Sequence, residues 1–404
     1  MRIWRAFKSA IKVLCMVLSL CIVLYSCNSV SKNDDAQDVP VIDWSEKLST
    51  VKLDVAALAN VNYIPLETND SCLINVITGV AIGDDTIVLT DSKQGCVFIF
   101  DNSGRFVGRI NRKGSGPEEY PFMSKTAVDF SKKEVYVYSM LGNRVFAYDF
   151  NGVFLRKTNI GRPGQFDDFY NYNDSLLIAY DKTNLSLAQS GFNDEPYRYI
   201  TINKLSGEVR SLPIKIDHPI GNVIKWRKPG VLEAVKIAGR PIMCDGDRFV
   251  IADFASDTIF EVKDSHVNIL ACQKNINRES DIPDRVNIEA AFGDLLILGY
   301  TRITDVSNQG VEFDEETGGT YVYNLKTKEL NRLDVKLPYL KKVKNTVIDN
   351  SGVQAANTIF CRLLYPETLL KHYENGDIEG PLLDVLESLD AEANPILMIA
   401  TFNK

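Results

Sequence analysis

Alternation of apolar and polar residues dominates the chain from about residue 51 to its end. The clearest examples are EVYVY at 134–138 and RVFAY at 144–148, where β-branched and aromatic residues stand between glycine, asparagine and aspartate. Short runs of this kind are typical of β-strands joined by tight turns. The pattern therefore predicts an all-β fold. One short C-terminal helix is predicted over residues 381–393, where Pro381 precedes an apolar repeat of helical period.

The predicted strands recur as a repeated unit. Residues 85–117 align with residues 133–165, so that Gly104 and Gly152 occupy equivalent hairpin tips 48 residues apart. Three fainter copies follow, with tips near Gly207, Asp264 and Thr327. Four-stranded units of about 40 to 60 residues are the sequence signature of β-propeller blades.

Five visible units leave segments at both ends of the chain unassigned. These segments are 51–67, 356–366 and 394–403, and each has a strand-like composition. We expect them to combine into a sixth blade, because a ring closed by both chain ends leaves no exposed sheet edge. The sequence thus predicts a six-bladed β-propeller with four-stranded blades over residues 51–404.

The N-terminus predicts export and lipid anchoring. Residues 1–26 begin with basic residues and continue into a short apolar run, the pattern of a signal peptide. The run covers 13–25, whereas a membrane-spanning helix needs about 20 residues. Leu24, Ser26 and Cys27 resemble a bacterial lipobox, which implies that a diacylglycerol on Cys27 anchors the protein to a membrane. Residues 27–50 are polar and are expected to form a flexible tether.

Charge and cysteine usage exclude several classes of function. Without residues 1–26, the chain has 41 basic and 53 acidic residues, a formal charge of −12. Such an acidic chain lacks the basic footprint of a nucleic-acid-binding protein. The five cysteines after Cys27 contain no C-x-x-C pair, so we expect buried free thiols rather than a zinc site.

Four segments together resemble a known family. They are YIPLET at 63–68, GSGPEEY at 114–120, SDTIFEV at 256–262 and NPILMI at 394–399. The chain is similar to six-bladed β-propeller lipoproteins of Bacteroidota with NHL-like repeats. This resemblance implies the propeller fold and an outer-membrane lipid anchor in the cell envelope, on either the periplasmic or the surface face. It implies no particular reaction.

The glycine-rich stretch 108–120 raises the question of a phosphate-binding loop. It lacks the G-x-x-x-x-G-K-[ST] pattern, and no helical pattern follows it. A similar stretch recurs one unit later at 161–164, which indicates a connection between blades. Arg112 in this loop is expected to lie at a mouth of the central channel, where it would favour anionic ligands.

Three aspartates end equivalent strands and form the strongest candidate for chemistry. Asp91, Asp181 and Asp253 each close the second strand of a unit. Equivalent blade positions converge around the axis, so the three carboxylates could bind Ca²⁺ or another divalent cation, as in gluconolactonase-type hydrolases. Alternatively, each aspartate accepts hydrogen bonds within its own turn. We favour turn capping, since it needs no partner residue.

The leading hypothesis is a binding protein or interaction scaffold without a cofactor. Its ligand is expected to be a protein or a glycan. Besides the three aspartates and Arg112, the candidate contacts include Trp226, which could stack on a sugar or peptide or could simply cap a blade. The alternative is a metal-dependent hydrolase or lyase that uses Asp91, Asp181 and Asp253.

Overall fold

The computed structural model describes residues 39–402, except 46–47, 184–196, 218, 222, 229, 238, 279–281, 342–352, 356–359 and 388. The predicted signal peptide, Cys27 and most of the predicted tether therefore lie outside the described residues. From Pro40 onwards the chain forms one structural unit. None of the described helices is long and apolar enough to cross a membrane.

The N-terminal strands attach to three different blades. The first elements are β1 Val41–Asp43, β2 Thr50–Asp54, α1 Val55–Leu58 and β3 Ala59–Pro65. β1 and β2 run parallel to the outermost strands of blades four and five and extend these sheets. β3 is the outermost strand of blade six.

Blades one to three are antiparallel sheets in which each new strand lies further from the axis. Blade one contains β4 Gly79–Ile82, β5 Thr86–Asp91, β6 Cys96–Asp101 and β7 Phe106–Asn111. Blade two contains β8 Lys125–Asp129, β9 Glu134–Ser139, β10 Arg144–Asp149 and β11 Phe154–Asn159. Blade three contains β12 Phe166–Asn171, β13 Leu176–Asp181, β14 Tyr199–Asn203 and β15 Val209–Ser211.

Two hairpins are inserted around blades four and five. The first precedes blade four and consists of β16 Val223–Lys228 and β17 Val231–Lys236. Blade four contains β18 Ile242–Asp245, β19 Arg248–Ala252, β20 Thr258–Lys263 and β21 His266–Lys274. Blade five contains β22 Arg285–Phe292, β23 Leu295–Thr301, β26 Gly319–Asn324 and β27 Glu329–Lys336, with the second hairpin, β24 Ile303–Ser307 and β25 Gly310–Phe313, inserted after β23.

The last elements complete blade six. They are β28 Val353–Ala355, β29 Phe360–Leu364, α2 Pro366–Glu374, α3 Leu382–Leu386 and β30 Ile396–Phe402. The sheet order is β29, β30 and β3, so strands from both chain ends close the ring as the sequence predicted. The predicted helix over 381–393 is shorter, as α3, and α2 was not predicted.

The strands are apolar on both faces because each blade packs between two others. In β9, Val135 and Val137 pack toward blade one, whereas Tyr136 and Tyr138 pack toward blade three. All four side chains are buried. A strand whose two faces are both apolar is therefore typical of the interior of a propeller.

All described insertions lie on one side of the propeller. In each blade the innermost strand begins, and the second strand ends, at the same face, which we call the upper face. The first hairpin joins the last strand of blade three to the first of blade four, and the second hairpin follows the second strand of blade five. The two hairpins contact each other through Ile224, Ile237 and Ile303. The two inserted hairpins are thus gathered at the upper face.

β28 departs from the regular pattern and crosses the central channel. Its place in the chain, just before β29, is that of the innermost strand of blade six, but it pairs in parallel with β4 of blade one. The Gln354 side chain accepts a hydrogen bond from the Val128 N–H of blade two (3.1 Å) and donates one to the Val128 carbonyl. Ala355 accepts a hydrogen bond from Gly246, in the lower turn of blade four. β28 therefore lies across the lower half of the channel.

Ring closure is reinforced by Asn394, which is buried just before β30. Its side chain donates to the carbonyls of Glu67 (2.7 Å) and Cys72 (2.8 Å) and accepts from Ile74 N–H (3.0 Å). Its backbone N–H donates to the Thr68 hydroxyl (2.8 Å). The segments YIPLET and NPILMI, which carry part of the family resemblance, thus meet where the two chain ends join.

The structure corrects two details of the predicted architecture. The four predicted strands of blades one, four and five are each extended by one parallel strand, and the sheet of blade six has three strands because β28 pairs with blade one. Within the predicted tether, β1 belongs to blade four, and Trp44 stacks on Tyr300 of blade five with ring centroids 4.6 Å apart. The ordered propeller therefore starts before residue 51. Within the described residues none of the five cysteines after Cys27 forms a disulfide, and four of them are buried.

The tight turn at Gly104 locks blade one to the closing strand of blade six. Gly104 has a φ of 86°, and a Cβ atom there would lie 2.1 Å from the carbonyl oxygen of Pro65. The Gly104 carbonyl in turn accepts a hydrogen bond from Glu67 N–H (2.8 Å). Gly104 and the tips at Gly152, Gly207 and Asp264 have positive φ as the turns require, whereas in the fifth unit Lys328 takes this role instead of Thr327.

We predict that Gly104→Ala lowers the free energy of unfolding by about 3 kcal/mol or more, because the left-handed conformation and the backbone clash both disfavour a side chain. Gly376→Ala is the matched control, since Gly376 also has a positive φ (70°), but a Cβ atom there would have no other atom within 4 Å. The control should cost only about 1 kcal/mol, the penalty for the left-handed conformation. Equal losses in urea unfolding of the two variants would contradict the packing of this turn against Pro65.

Candidate functional site

Asp91 caps the turn that follows β5. Its carboxylate accepts hydrogen bonds from the backbone N–H groups of Asn75 (2.8 Å), Val76 (3.0 Å) and Gln94 (2.9 Å), and from the Gln94 side chain (3.0 Å). Asp91 is fully buried. Burial alone would raise the pKa of Asp91, but the four donors lower it below the ordinary value of 3.8. Its hydrogen-bonding capacity is therefore used within its own blade.

The carboxylates of Asp181 and Asp253 also accept hydrogen bonds from residues near their own turns. Asp181 accepts hydrogen bonds from the N–H and hydroxyl of Thr183 (2.9 and 2.5 Å) and pairs with Arg162 (3.1 Å). Asp253 accepts hydrogen bonds from the Tyr199 hydroxyl (2.6 Å) and from the backbone N–H two residues further on (2.8 Å). Burial raises the pKa of Asp253, and the Tyr199 hydrogen bond opposes this shift.

The structure does not bring the three aspartates together. In the described part of the chain, no group of three His, Cys, Asp or Glu side chains is arranged to hold a metal ion. All three aspartates lie at the upper face, as the repeat implied, but each carboxylate is held by its own set of local donors, which for Asp253 includes Tyr199 of blade three. The geometry therefore does not favour the alternative of a shared metal site at Asp91, Asp181 and Asp253.

Arg112 and Trp226 also lie away from the channel. The Arg112 guanidinium donates to the carbonyl of Gly152 (3.0 and 3.2 Å), so it ties blade one to the hairpin of blade two. Trp226, predicted to lie outside a strand, is part of β16 and pairs in register with Glu233 of β17. The Trp226 indole N–H is buried and has no hydrogen-bond partner among the described residues. Neither residue is among those that line the cavity beside the propeller axis.

The GSGPEEY loop folds onto itself between β7 and β8. The Glu119 carboxylate accepts a hydrogen bond from Gly116 N–H (2.9 Å), and a Cβ at Gly114 would lie 1.9 Å from that carboxylate. Tyr120 is buried, and its hydroxyl donates to the Gly95 carbonyl (2.8 Å). A carboxylate therefore occupies the place where a phosphate would have to sit, and the loop serves as the predicted blade connection.

A cavity of about 600 Å³ lies beside the axis and is lined by residues from the upper ends of the blades. Blades one and two contribute its hydroxyl groups, from Thr78, Thr90, Ser92, Ser124 and Thr126. Val353 and Gln354 of β28 also line it. Because β28 crosses the lower half of the channel, the cavity is a pocket of the upper face. We call it the axial cavity.

Cationic side chains from separate parts of the fold converge on the axial cavity. They are Lys125 at the start of β8, Lys236 at the end of the first hairpin, Arg240 just before β18, and Arg362 in β29. No carboxylate is among the described lining residues. The arrangement favours a negatively charged group in the cavity.

Two carboxylates of blade three lie next to these cations. Asp167 pairs with Lys125 (3.3 Å) and with Lys182 (3.2 Å). Burial would raise the pKa of Asp167, but the surrounding cations, Lys125 foremost, lower it well below its usual range. Burial lowers the pKa of Lys125, and nearby Arg240 lowers it further, while Asp167 opposes both. The pair therefore stays ionised through mutual attraction.

Asp168 is fully buried and holds Arg240 in place. It lies 3.3 Å from the Arg240 guanidinium and accepts a hydrogen bond from Ile242 N–H (3.2 Å). Burial raises the pKa of Asp168, and the charge of Arg240 opposes this shift. Arg240 is thereby fixed at the cavity wall.

Sequence reasoning missed the residues of the axial cavity. No motif in the sequence sets Lys125 apart, and Arg362 lies in the unassigned segment 356–366. One weak signal of the cavity is the presence of polar residues at the start of an innermost strand, because the rest of such a strand is apolar. Nothing in the sequence shows that Lys125 of blade two and Arg362 of blade six line the same cavity.

For Asp91 we predict a pH-dependent contribution to stability. Asp91→Asn should lower the free energy of unfolding by about 1.5 to 3 kcal/mol at pH 7, the contribution of hydrogen bonds to a charged group. Since folding lowers the Asp91 pKa, this contribution is present above the ordinary value of 3.8 and is lost as pH falls below it. The difference between wild type and variant should therefore shrink below about pH 4 in urea unfolding. Asp70→Asn, at an exposed site, is the control, and a difference at Asp91 that is independent of pH would contradict the account.

Comparisons with known proteins agree with this fold. Residues 39–401 match a family described as a domain of unknown function, DUF4934. No curated protein matches the chain. The chain resembles the structure of a protein from Bacteroides fragilis described as exported, with a TM-score of 0.57, 17% identity and coverage of 90% of this chain and 99% of that chain. It also resembles a member of the DUF4221 family from Bacteroides vulgatus, with a TM-score of 0.43, 12% identity and coverage of 86% and 97%. Since the family match extends over most of its length, the chain belongs to the DUF4934 family.

Proposed function

We propose that this protein is a lipid-anchored binding protein of the cell envelope that receives its ligand in the axial cavity. The observation that carries the proposal is the cavity itself: about 600 Å³, lined by residues of the upper face and crossed by β28 below. Pockets for small ligands generally have volumes of about 300 to 1,000 Å³. The cavity therefore suits a molecule of one or two sugar rings or a short peptide segment.

The lining of the cavity suits a polar ligand. Hydroxyl groups from blades one and two stand beside apolar strand residues, so a ligand could both pack and form hydrogen bonds. The hydroxyls of Thr90 and Thr126 form a hydrogen bond with each other across the two blades (2.5 Å), which shows that the cavity wall holds polar groups at short distances. The end of a glycan or peptide chain would fit this mixture, and the two inserted hairpins offer further contacts at the upper face to a larger partner.

A binding role agrees better with the site than hydrolysis at a shared metal centre. Asp91, Asp181 and Asp253, on which the enzymatic alternative rested, are committed to separate turns. The proposed function therefore requires no bound metal and no cofactor.

The lipid attachment predicted at Cys27 supports the envelope location in this proposal. Leu24, Ser26 and Cys27 match the lipobox pattern, and the residues that follow are polar. The structural neighbour from Bacteroides fragilis is described as exported. We infer anchoring in the outer membrane, and no nucleic-acid partner is proposed for a chain this acidic.

Blocking the mouth of the cavity should abolish ligand binding. Ser92 lines the cavity, and its backbone N–H, not its hydroxyl, bonds to Thr78 (3.3 Å). We predict that Ser92→Trp weakens binding at least about tenfold for any glycan or peptide fragment that binds the full chain with one-to-one stoichiometry in calorimetry. Ser71→Trp, on the exposed outer side of blade one, should leave affinity unchanged. A fragment that binds both variants as well as wild type would contradict the assignment of the site to the axial cavity.

Cys27→Ala should abolish membrane attachment, because it removes the acyl chains whose burial in the bilayer provides about 0.8 kcal/mol per CH₂ group. In cells fed labelled palmitate, the variant should carry no label and should leave the membrane fraction. Cys21→Ala is the control and should still be labelled, because Cys21 follows a leucine rather than a small residue. Labelling that persists in Cys27→Ala would contradict the proposed anchor.

A further inference from the structure

The axial cavity has more positive than negative charge around it. Four cationic side chains line it, and Lys182 lies next to it through its ion pair with Asp167. The carboxylates that face this group are Asp167 and Asp168, both buried in blade three. In the described part of the molecule, five cations are thus set against two carboxylates. The imbalance is unusual for a chain whose overall formal charge is negative.

The two carboxylates already have their partners. Asp167 binds the ammonium groups of Lys125 and Lys182, and Asp168 binds Arg240 and a backbone N–H. These contacts hold Lys125 and Arg240 at the cavity wall in fixed positions. The excess charge therefore resides on the remaining cations of the cavity, Lys236 and Arg362.

Arg362 is the best placed of these cations to bind a ligand. It lies in β29, at the inner edge of the blade six sheet, and its side chain is half-buried. Its Nη1 atom is buried and has no hydrogen-bond partner among the described residues. Buried donors in folded proteins are nearly always paired, and leaving a charged one unpaired is costly. Because Arg362 also lines the cavity, a small rotation of its guanidinium would bring this unpaired donor to an acceptor bound there.

A guanidinium is suited to one class of acceptor in particular. Its planar fork of N–H groups matches the paired oxygens of a carboxylate, a sulfate or a phosphate. Lys236 at the mouth would attract the same anions, and the threonine and serine hydroxyls of blades one and two could donate to their remaining oxygens. Charge, donor geometry and the unpaired nitrogen all indicate the same ligand chemistry.

We propose that the axial cavity is an oxyanion site, in which Arg362 binds a carboxylate, sulfate ester or phosphate ester of the ligand, with Lys125, Lys236 and Arg240 providing the surrounding positive charge. This inference rests on the proposed function, which places the ligand in the same cavity. It adds that the ligand is acidic and that the anionic group, not the neutral part, determines recognition.

Four sugars with the same ring would test this inference. Glucose, glucuronate, glucose 6-phosphate and glucose 6-sulfate are titrated into the full chain by calorimetry at constant ionic strength, so that general screening is equal. We expect at least one charged sugar to bind and glucose to bind at least about tenfold more weakly, the effect of losing a charge-assisted hydrogen bond. Which charged sugar binds best would distinguish a carboxylate, phosphate or sulfate ligand. Equal affinity for glucose, or no binding of any charged sugar, would overturn the proposal.

Variants of Arg362 separate a binding role from a structural one. Arg362→Met should abolish binding of the charged sugar while leaving the melting temperature of the ligand-free protein unchanged or raised, because it removes an unpaired buried charge. Arg362→Lys should retain part of the affinity, since it keeps the charge but not the fork. Arg105→Gln, at an exposed ion pair on blade one, is the control and should bind as wild type. Undiminished binding in Arg362→Met would contradict the proposal.

The two proposals fail in different ways. If a neutral ligand binds and Ser92→Trp blocks it, while no charged sugar binds, the axial cavity is a binding site but not an oxyanion site. If charged sugars bind equally well to wild type and Ser92→Trp, both the location and the role of Arg362 are wrong.

Discussion

The pairing of β3 with β30 is the interaction on which the rest of the structure depends. It joins β3, near the N-terminal end of the described residues, to the last strand of the chain in continuous register, from Ala59 opposite Phe402 to Pro65 opposite Ile396. A six-bladed ring buries its strands only when every blade has two neighbours, so this pairing allows blades one and six to pack. The Asn394 hydrogen bonds and the Gly104 turn reinforce the same junction from either side.

Ring closure also creates the axial cavity. With β3, β30 and β29 in the outer positions of blade six, β28 is left nearest the axis, where it pairs with blade one instead. This displacement fills the lower half of the channel and leaves the inner edge of β29, with Arg362, at the upper half. The cavity therefore arises from an irregularity in the last blade rather than from the repeated elements.

The geometry that recurs from blade to blade explains why the fold could be predicted from sequence. Gly104 and Gly152 mark equivalent turns, and strands such as β9 are apolar on both faces because each packs against two blades. These are local signals with a fixed period. By contrast, the first hairpin follows no repeat, so Trp226 was expected outside a strand although it lies within β16.

The candidate site was less predictable, because it depends on how separate blades converge. The period correctly placed Asp91, Asp181 and Asp253 at one face of the ring, but it could not show that each carboxylate accepts hydrogen bonds from its own turn. Lys125 and Arg362 are far apart in sequence and become neighbours of one cavity only after the ring closes. A single cation on a strand gives no indication in the sequence of the space that it faces.

The central claim is that the axial cavity holds an anion, and anomalous diffraction would test it most directly. Crystals of the protein soaked in selenate, a sulfate analogue, would be measured at the selenium edge, where bound ions are located without reference to the protein atoms. The account predicts the strongest selenate position in the cavity, within hydrogen-bonding distance of the Arg362 guanidinium. Selenate found only at exposed surface lysines, with none in the cavity, would contradict it.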